Sequence, residues 1–210
     1  MKIVISDLEN YSNALFVGCD EVGYGCLAGP LVVCGVAAPR GWSLEGLNDS
    51  KKLTEKKRLA MREKLNKLIE DKVISFHMAE RSSFEIDKFG VSPMLKSAYI
   101  ECMKALDTTK ESLIITDGIL KFDNLGVDDY SIVSMIKADT LVPTVMAASI
   151  LAKTYRDGKM RILHELHPQY GWDSNVGYGS ADHMAAMRAH GLSPLHRRSY
   201  KVKSMLDLYE

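Results

Sequence analysis

Apolar residues in this chain come in short unbroken runs and in longer helical stripes, and the two alternate. Leu15-Phe16-Val17 leads into Gly18-Cys19-Asp20-Glu21 and predicts a strand from about Ala14 to Glu21. Leu31-Val32-Val33-Cys34-Gly35-Val36-Ala37 predicts a second, stopped by Pro39 and Gly41. So short a separation makes these two antiparallel neighbours. Val73 to Ala79, Leu113 to Thr116 and Ser131 to Ile136 predict three more strands. The 113–116 run has no polar alternation before its final Thr and reads as an interior strand buried on both faces.

The helical stripes lie between these runs. Thr54 caps a helix to about Ile69, with Met61, Leu65 and Leu68 inward and the Lys56–Arg58 and Arg62–Lys64 charges mostly outward. Ser92 as cap and Pro93 in the first turn open a second, whose stripe of Leu95, Ala98, Tyr99, Cys102 and Leu106 belongs to the core. Pro143 opens a third, to about Met160. Its Ala147, Ala148 and Ala152 permit close packing, while Ser149, Lys153 and Arg156 share a polar face with a Lys153–Asp157 pair. Beyond it the chain is loop-rich, with a short helix between Ser180 and Gly191 and a frayed helix in the last ten residues. This alternation predicts an α/β fold.

The 210 residues suit one domain over 1–210, with a core at 14–160 and a loop-rich, helical C-terminal part at 161–210. No apolar run is long enough for a membrane span, and Lys2, Asp7 and Glu9 are wrong for a signal peptide, so a cytoplasmic protein is expected. Cys19, Cys26, Cys34 and Cys102 lack metal-ligand spacing and are expected to be small buried hydrophobes. The net charge is zero, yet Lys153 to Lys203 holds nine Lys or Arg against four Asp or Glu. A basic C-terminal third beside an acid-bearing core suits action on a polyanion, although chance unevenness gives the same count.

The acids are the chemical signal. Asp20 and Glu21, Asp117 and Asp139 each come closely after an apolar strand. An Asp-Glu pair alone is ordinarily a solvated hairpin; its recurrence at three strand ends points to a site at one edge of a sheet. Four carboxylates there can hold two Mg2+ or Mn2+ ions, the arrangement that clamps attacking and leaving oxygens in phosphoryl transfer. Gly23 and Gly25 remove side-chain bulk where backbone approaches a ligand.

At this level the sequence resembles the type 2 ribonuclease H family, its bacterial ribonuclease HII branch in particular. The resemblance is carried by residues 20–30, 47–53, Asp117-Gly118, 138–140, 147–157, Gly177-Tyr178 and 193–200, in family order across residues 14 to 202. It implies a ribonuclease H-like fold, a mixed five-stranded sheet flanked by helices with a small C-terminal helical part. It also implies an endonuclease that cuts RNA in RNA–DNA hybrids and incises 5′ to ribonucleotides embedded in DNA, leaving 3′-hydroxyl and 5′-phosphate ends. By the match, Asp20, Glu21, Asp117 and Asp139 are the catalytic, metal-binding carboxylates. Gly23-Tyr24-Gly25 would lie against the ribose 2′-hydroxyl and Tyr178 against the junction sugar. Lys51, Lys153 and Arg197 would contact phosphate or support the site. His196 is expected to be structural.

Three departures bear on recognition. Tyr24 stands where the family has Arg, Val176 where a Lys is usual, and Phe89-Gly90-Val91 where Leu-Asn-Ile is typical. Chemistry is therefore expected to be intact while junction recognition is weakened. The alternatives are an enzyme restricted to hybrids and a duplex-binding protein with vestigial chemistry. Ribonuclease HIII is the nearest rival; it carries a large N-terminal domain where about thirteen residues precede the first strand here, and the Leu27-Ala28-Gly29-Pro30 turn also favours the HII branch. A monomer is expected. The tail from Lys201 lacks the Gln and paired aromatics of a sliding-clamp peptide, so no clamp binding is expected through it.

Overall fold

The computed structural model describes residue 8 and residues 15–106, 112–122, 126–127 and 130–209. The expected strand start at Ala14 falls outside them. Five strands form one sheet: β1 (Leu15–Val22), β2 (Leu31–Pro39), β3 (Ser75–Arg81), β4 (Ser112–Asp117) and β5 (Ser131–Met135). Their order is β3-β2-β1-β4-β5. The β1–β2 and β2–β3 pairs are antiparallel, and β4 and β5 run parallel to β1. The expected antiparallel hairpin and interior β4 are both present.

Strand alternation sorts the core into two faces. Leu31, Val33 and Ala37 of β2 meet Leu95, Ala98, Tyr99, Cys102 and Leu106 at helix α3 (Val91–Ala105) and its C-terminal cap. Val32, Cys34, Val36 and Ala38 turn the other way, onto α1 (Glu55–Glu70) and α5 (Pro143–Leu166). This is the period of two expected of a strand covered on both sides. Gly18 lies under α5 with no room for a side chain: a Cβ there would stand 2.2 Å from the Val145 nitrogen.

Several boundaries differ from the sequence expectation. β3 begins at Ser75, not Val73, because the amides of Val73 and Ile74 close the end of α1 on the Leu68 carbonyl. A helix not expected, α2 (Ser83–Phe89), begins with a capping box in which Ser82 and Glu85 satisfy each other's amides. α3 starts at Val91 with Gly90 at its N-cap, so Ser92 and Pro93 lie inside the first turn. α5 runs on to Leu166, past the expected end at Met160 and past the expected junction with the C-terminal part. A four-residue helix, α4 (Ala138–Leu141), precedes α5 and carries Asp139.

The C-terminal part contains a 3-10 turn (Pro168–Tyr170), α6 (Trp172–Asn175), α7 (Ala181–His190) and a 3-10 stretch at Lys203–Tyr209. Ser180 and Gly191 bound α7 as expected. Tyr170 and Trp172 stack with ring centroids 5.1 Å apart, and His183 and His196 pack on them. Among the described residues no helix is long and apolar enough to cross a membrane.

Candidate active site

The parallel pairing of β1 with β4 brings the first three acids together. Cys19 pairs with Thr116, so the next step in the register sets Asp20 beside Asp117. Successive residues of a strand face opposite ways. Asp20 accordingly turns to the α5 face, where it and Ser149 line the same cavity, the Ser149 hydroxyl itself lying 2.8 Å from that of Ser50. Glu21 turns to the α3 face, where the buried Tyr99 hydroxyl donates to its Oε2. The Ala138 amide donates to Asp117 Oδ1 at 2.8 Å, which ties the end of β4 to the start of α4. Asp139, one residue on, accepts from Lys51 Nζ at 3.0 Å.

The electrostatics report crowding. Burial, then the neighbouring Glu21 carboxylate, raises Asp20 to about 8, although Ser149 works against the shift. Burial also raises Glu21, opposed by the Tyr99 hydrogen bond. Asp117 is raised by burial and by Asp139. Burial disfavours the Lys51 ammonium, but its bond to Asp139 and the charges of Asp139, Asp20 and Asp49 outweigh that and raise it. As folded, no three carboxylate, imidazole or thiol groups among the described residues stand close enough to form a metal cage. The donor set nevertheless fits hard divalent cations: it offers oxygen only, and its repulsion is of the kind that a cation relieves.

Around the acids lie two adjoining cavities. One, of about 340 Å³, is lined by Asp20, Glu21, the Gly23–Gly25 loop, Lys51, Lys153 and Tyr178. The other, of about 520 Å³, is lined by Glu21, Tyr24, Ser92, Lys96, Asp117 and Lys121. Tyr24 borders both and is 41% exposed; its hydroxyl lies 3.4 Å from Ser92 Oγ. Tyr178 is 43% exposed, and Lys51 presents 74% of its side chain to solvent. Lys153 lines the first cavity while paired with Asp157 at 2.8 Å, a largely buried form of the expected pair.

Two arginines are buried. Arg197, expected to contact phosphate or to support the site, is 1% exposed and donates to the carbonyls of Gly29 and Tyr24. Arg156 is not on a solvated face; it is fully buried and donates to Pro30, Ala28 and Val176. Tyr99, read as core, is core with a polar tip on Glu21. The one sequence signal for that contact is a Tyr where a stripe of pure packing would take Phe. His196 is buried and bonded to Ser193. The four cysteines are free and buried, and burial pushes the Cys102 thiol up to about 12, which removes it as a nucleophile.

The mixed five-stranded sheet, with acids gathered at one end of its middle strands, makes this a ribonuclease H-like α/β protein. A family model described as Ribonuclease HII matches residues 17–203, and the chain belongs to that family of hydrolytic nucleases. Ribonuclease HII of Cytophaga hutchinsonii is 39% identical over 193 residues, covering 91% of this chain and 92% of that protein. The ribonuclease HII solved in the PCNA:RNase HII complex from Archaeoglobus fulgidus aligns at a TM-score of 0.72 and 27% identity, covering 90% of this chain and 96% of that one. Bst-RNase HIII, solved in complex with Mn2+, shares the fold at a TM-score of 0.63 and 19% identity, covering 87% of this chain and 64% of that one.

Proposed function

We propose that this chain is an endonuclease that hydrolyses the RNA strand of RNA–DNA hybrids and incises 5′ to ribonucleotides embedded in duplex DNA. The observation that carries the reading is the meeting of Asp20, Glu21, Asp117 and Asp139 beside an exposed glycine loop and Tyr178. The four carboxylates would hold two Mg2+ or Mn2+ ions; the Mn2+ in Bst-RNase HIII supports that choice of cation. Bound there, the ions supply a water acidified to a nucleophile and charge stabilisation for the phosphate, leaving 3′-hydroxyl and 5′-phosphate ends.

The chain's own groups do the rest. Tyr99 fixes the orientation of Glu21. Lys51, largely exposed, lies where it can balance charge at Asp139 or meet a phosphate. Telling RNA from DNA at one residue requires contact with the 2′-hydroxyl. The amides of Tyr24 and Gly25, which have no hydrogen-bond partner among the described residues, are the donors on offer. The exposed ring of Tyr178 is a flat surface for the sugar.

A second reading, an enzyme restricted to continuous hybrids, rests on Tyr24, which puts a neutral ring where a cation would strengthen phosphate binding. Two labelled duplexes, one with a lone ribonucleotide and one a continuous hybrid, decide between them in Mg2+ and in Mn2+. Cleavage of both, 5′ to the lone ribonucleotide, is expected, with Asp117→Asn inactive. Cleavage of the hybrid alone favours the second reading, and metal-independent binding with no cleavage overturns both.

A further inference from the structure

Arg156 and Arg197 are 0% and 1% exposed, and among the described residues neither meets a carboxylate. Burying a cation without an anion is costly. What these two meet is backbone. Arg156 donates from Nε to Pro30 O at 2.8 Å, from Nη2 to Ala28 O at 3.1 Å and from Nη1 to Val176 O at 2.7 Å. Arg197 donates from Nε and Nη2 to Gly29 O at 3.2 and 3.0 Å and from Nη1 to Tyr24 O at 2.9 Å. The Tyr200 hydroxyl donates to the same Tyr24 carbonyl at 2.6 Å, and its ring lies 5.1 Å from the Arg197 guanidinium.

Four carbonyls between residues 24 and 30, together with that of Val176, are thus turned onto two planar forks. The fit leaves no slack. Gly23 has φ +88°, and a Cβ there would stand 2.3 Å from Arg156 Nε; a Cβ on Gly177 would stand 2.4 Å from Ala28 O. Gly177 O also accepts from the Leu27 amide, so the 24–30 segment and the loop bearing Tyr178 are pinned to each other.

We propose that Arg156 and Arg197 are positioning residues for recognition of a lone ribonucleotide: Arg197 sets the Tyr24–Gly25 amides on the cavity wall, and Arg156 fixes their separation from Tyr178. The inference rests on the function proposed above and goes further by saying which groups make the reading loop rigid. A lone ribonucleotide presents one 2′-hydroxyl, so a loop displaced by a fraction of an ångström loses it. A continuous hybrid presents a 2′-hydroxyl at every step and tolerates the displacement. Lys cannot substitute, because a point donor reaches one carbonyl where the fork reaches several.

The test measures kcat and KM separately on the two duplexes for the wild type, Arg197→Lys, Arg156→Lys and Tyr200→Phe. In Arg197→Lys, KM for the lone-ribonucleotide duplex should rise about tenfold while kcat on the hybrid changes by less than about threefold. Tyr200→Phe, which removes the hydroxyl that donates to Tyr24 O and accepts from Arg197 Nη1, should shift the preference the same way by a smaller factor, and it decides the matter if the arginine variants fail to fold. Tyr178→Ala should cost less in the Arg156→Lys background than in the wild type. A merely structural role would lower melting temperature and active fraction alike on both duplexes. An unchanged preference in folded variants, with the wild type cutting both, overturns this inference alone. A wild type that cuts neither overturns the proposed function and this inference with it.

Discussion

Glu21 depends on a residue nearly eighty positions away. The Tyr99 hydroxyl donates to its Oε2 from inside the core, and nothing else there can replace the donor. Tyr99→Phe should therefore leave the fold in place but weaken metal binding about 10- to 100-fold, as loss of outer partners does at carboxylate sites. The check is cleavage against Mn2+ concentration; an unshifted half-saturation would mean that the hydroxyl does not orient Glu21. Tyr24 makes the opposite case, a neutral side chain where charge would help. Tyr24→Arg should tighten binding of lone-ribonucleotide duplex and steepen its salt dependence by about one unit of slope. Equal or weaker binding at low salt would show that the ring itself contributes. The acids were legible in the sequence because β1 and β4 run parallel and carry Asp20, Glu21 and Asp117 to one edge of the sheet, with Asp139 close after β5 on α4. The two arginines were not. Helical periodicity puts Arg156 with Ser149 and Lys153, and its carbonyl partners come from segments far off in sequence.

Helix α5 is the element that sets the site, since it brings Ser149 to the cavity wall beside Asp20 and sends Arg156 beneath the glycine loop. Its close approach to β1 depends on Gly18. A Cβ there would stand 2.2 Å from one backbone atom of α5 and 2.3 Å from another, neither able to rotate away. Gly18→Ala should cost about 3 kcal/mol and lower the melting temperature, with cleavage falling in step. Gly25→Ala is the contrast: a Cβ there meets nothing within 4 Å, so stability should move by less than about 0.5 kcal/mol while affinity for the lone ribonucleotide falls. Equal melting temperatures for the two variants would refute this account of the packing. Strands and long helices were readable because their periods are set by burial. α2 escaped because two exposed phenylalanines, Phe84 and Phe89, hide its short apolar face; the Ser82–Glu85 capping box was the signal available. The start of α3 moved because Gly90 ends one helix and caps the next.

The whole molecule responds to acid in two opposed ways, and their separation can be tested. His183 donates from Nδ1 to the Tyr178 carbonyl, so its Nε2 is the acceptor that Trp172 Nε1 meets at 3.0 Å. His196 accepts the Ser193 amide on Nδ1 and faces His183 with Nε2, which must then carry the proton. A second proton on His183 Nε2 would face two donors, Trp172 Nε1 and His196 Nε2. Burial, then the neighbouring His183, lowers His196 to about 4, and His167 and Arg198 push the same way. A histidine depressed in the fold binds fewer protons than in the unfolded chain. Its contribution, on the order of 3 kcal/mol, is complete above about 6.5 and lost as the pH falls toward 4. Asp20, raised to about 8, works with the opposite sign, because the fold gains from protonating it below that pH. A global melting curve mixes the two, so a local probe is required. Trp172 is fully buried and bonded to His183, and in a Trp42→Phe background it reports the C-terminal part alone. Its emission should shift to the red between pH 6.5 and 4 before the far-ultraviolet signal of the sheet and α5 is lost. Because the Ala28–His196 bridge and the Arg197–Leu27 hydrogen bond fasten this part to the glycine loop, affinity for a lone ribonucleotide should fall over the same interval. If the two optical signals fall together, the histidine pair is no separate weak point and the loop is held by the arginines alone.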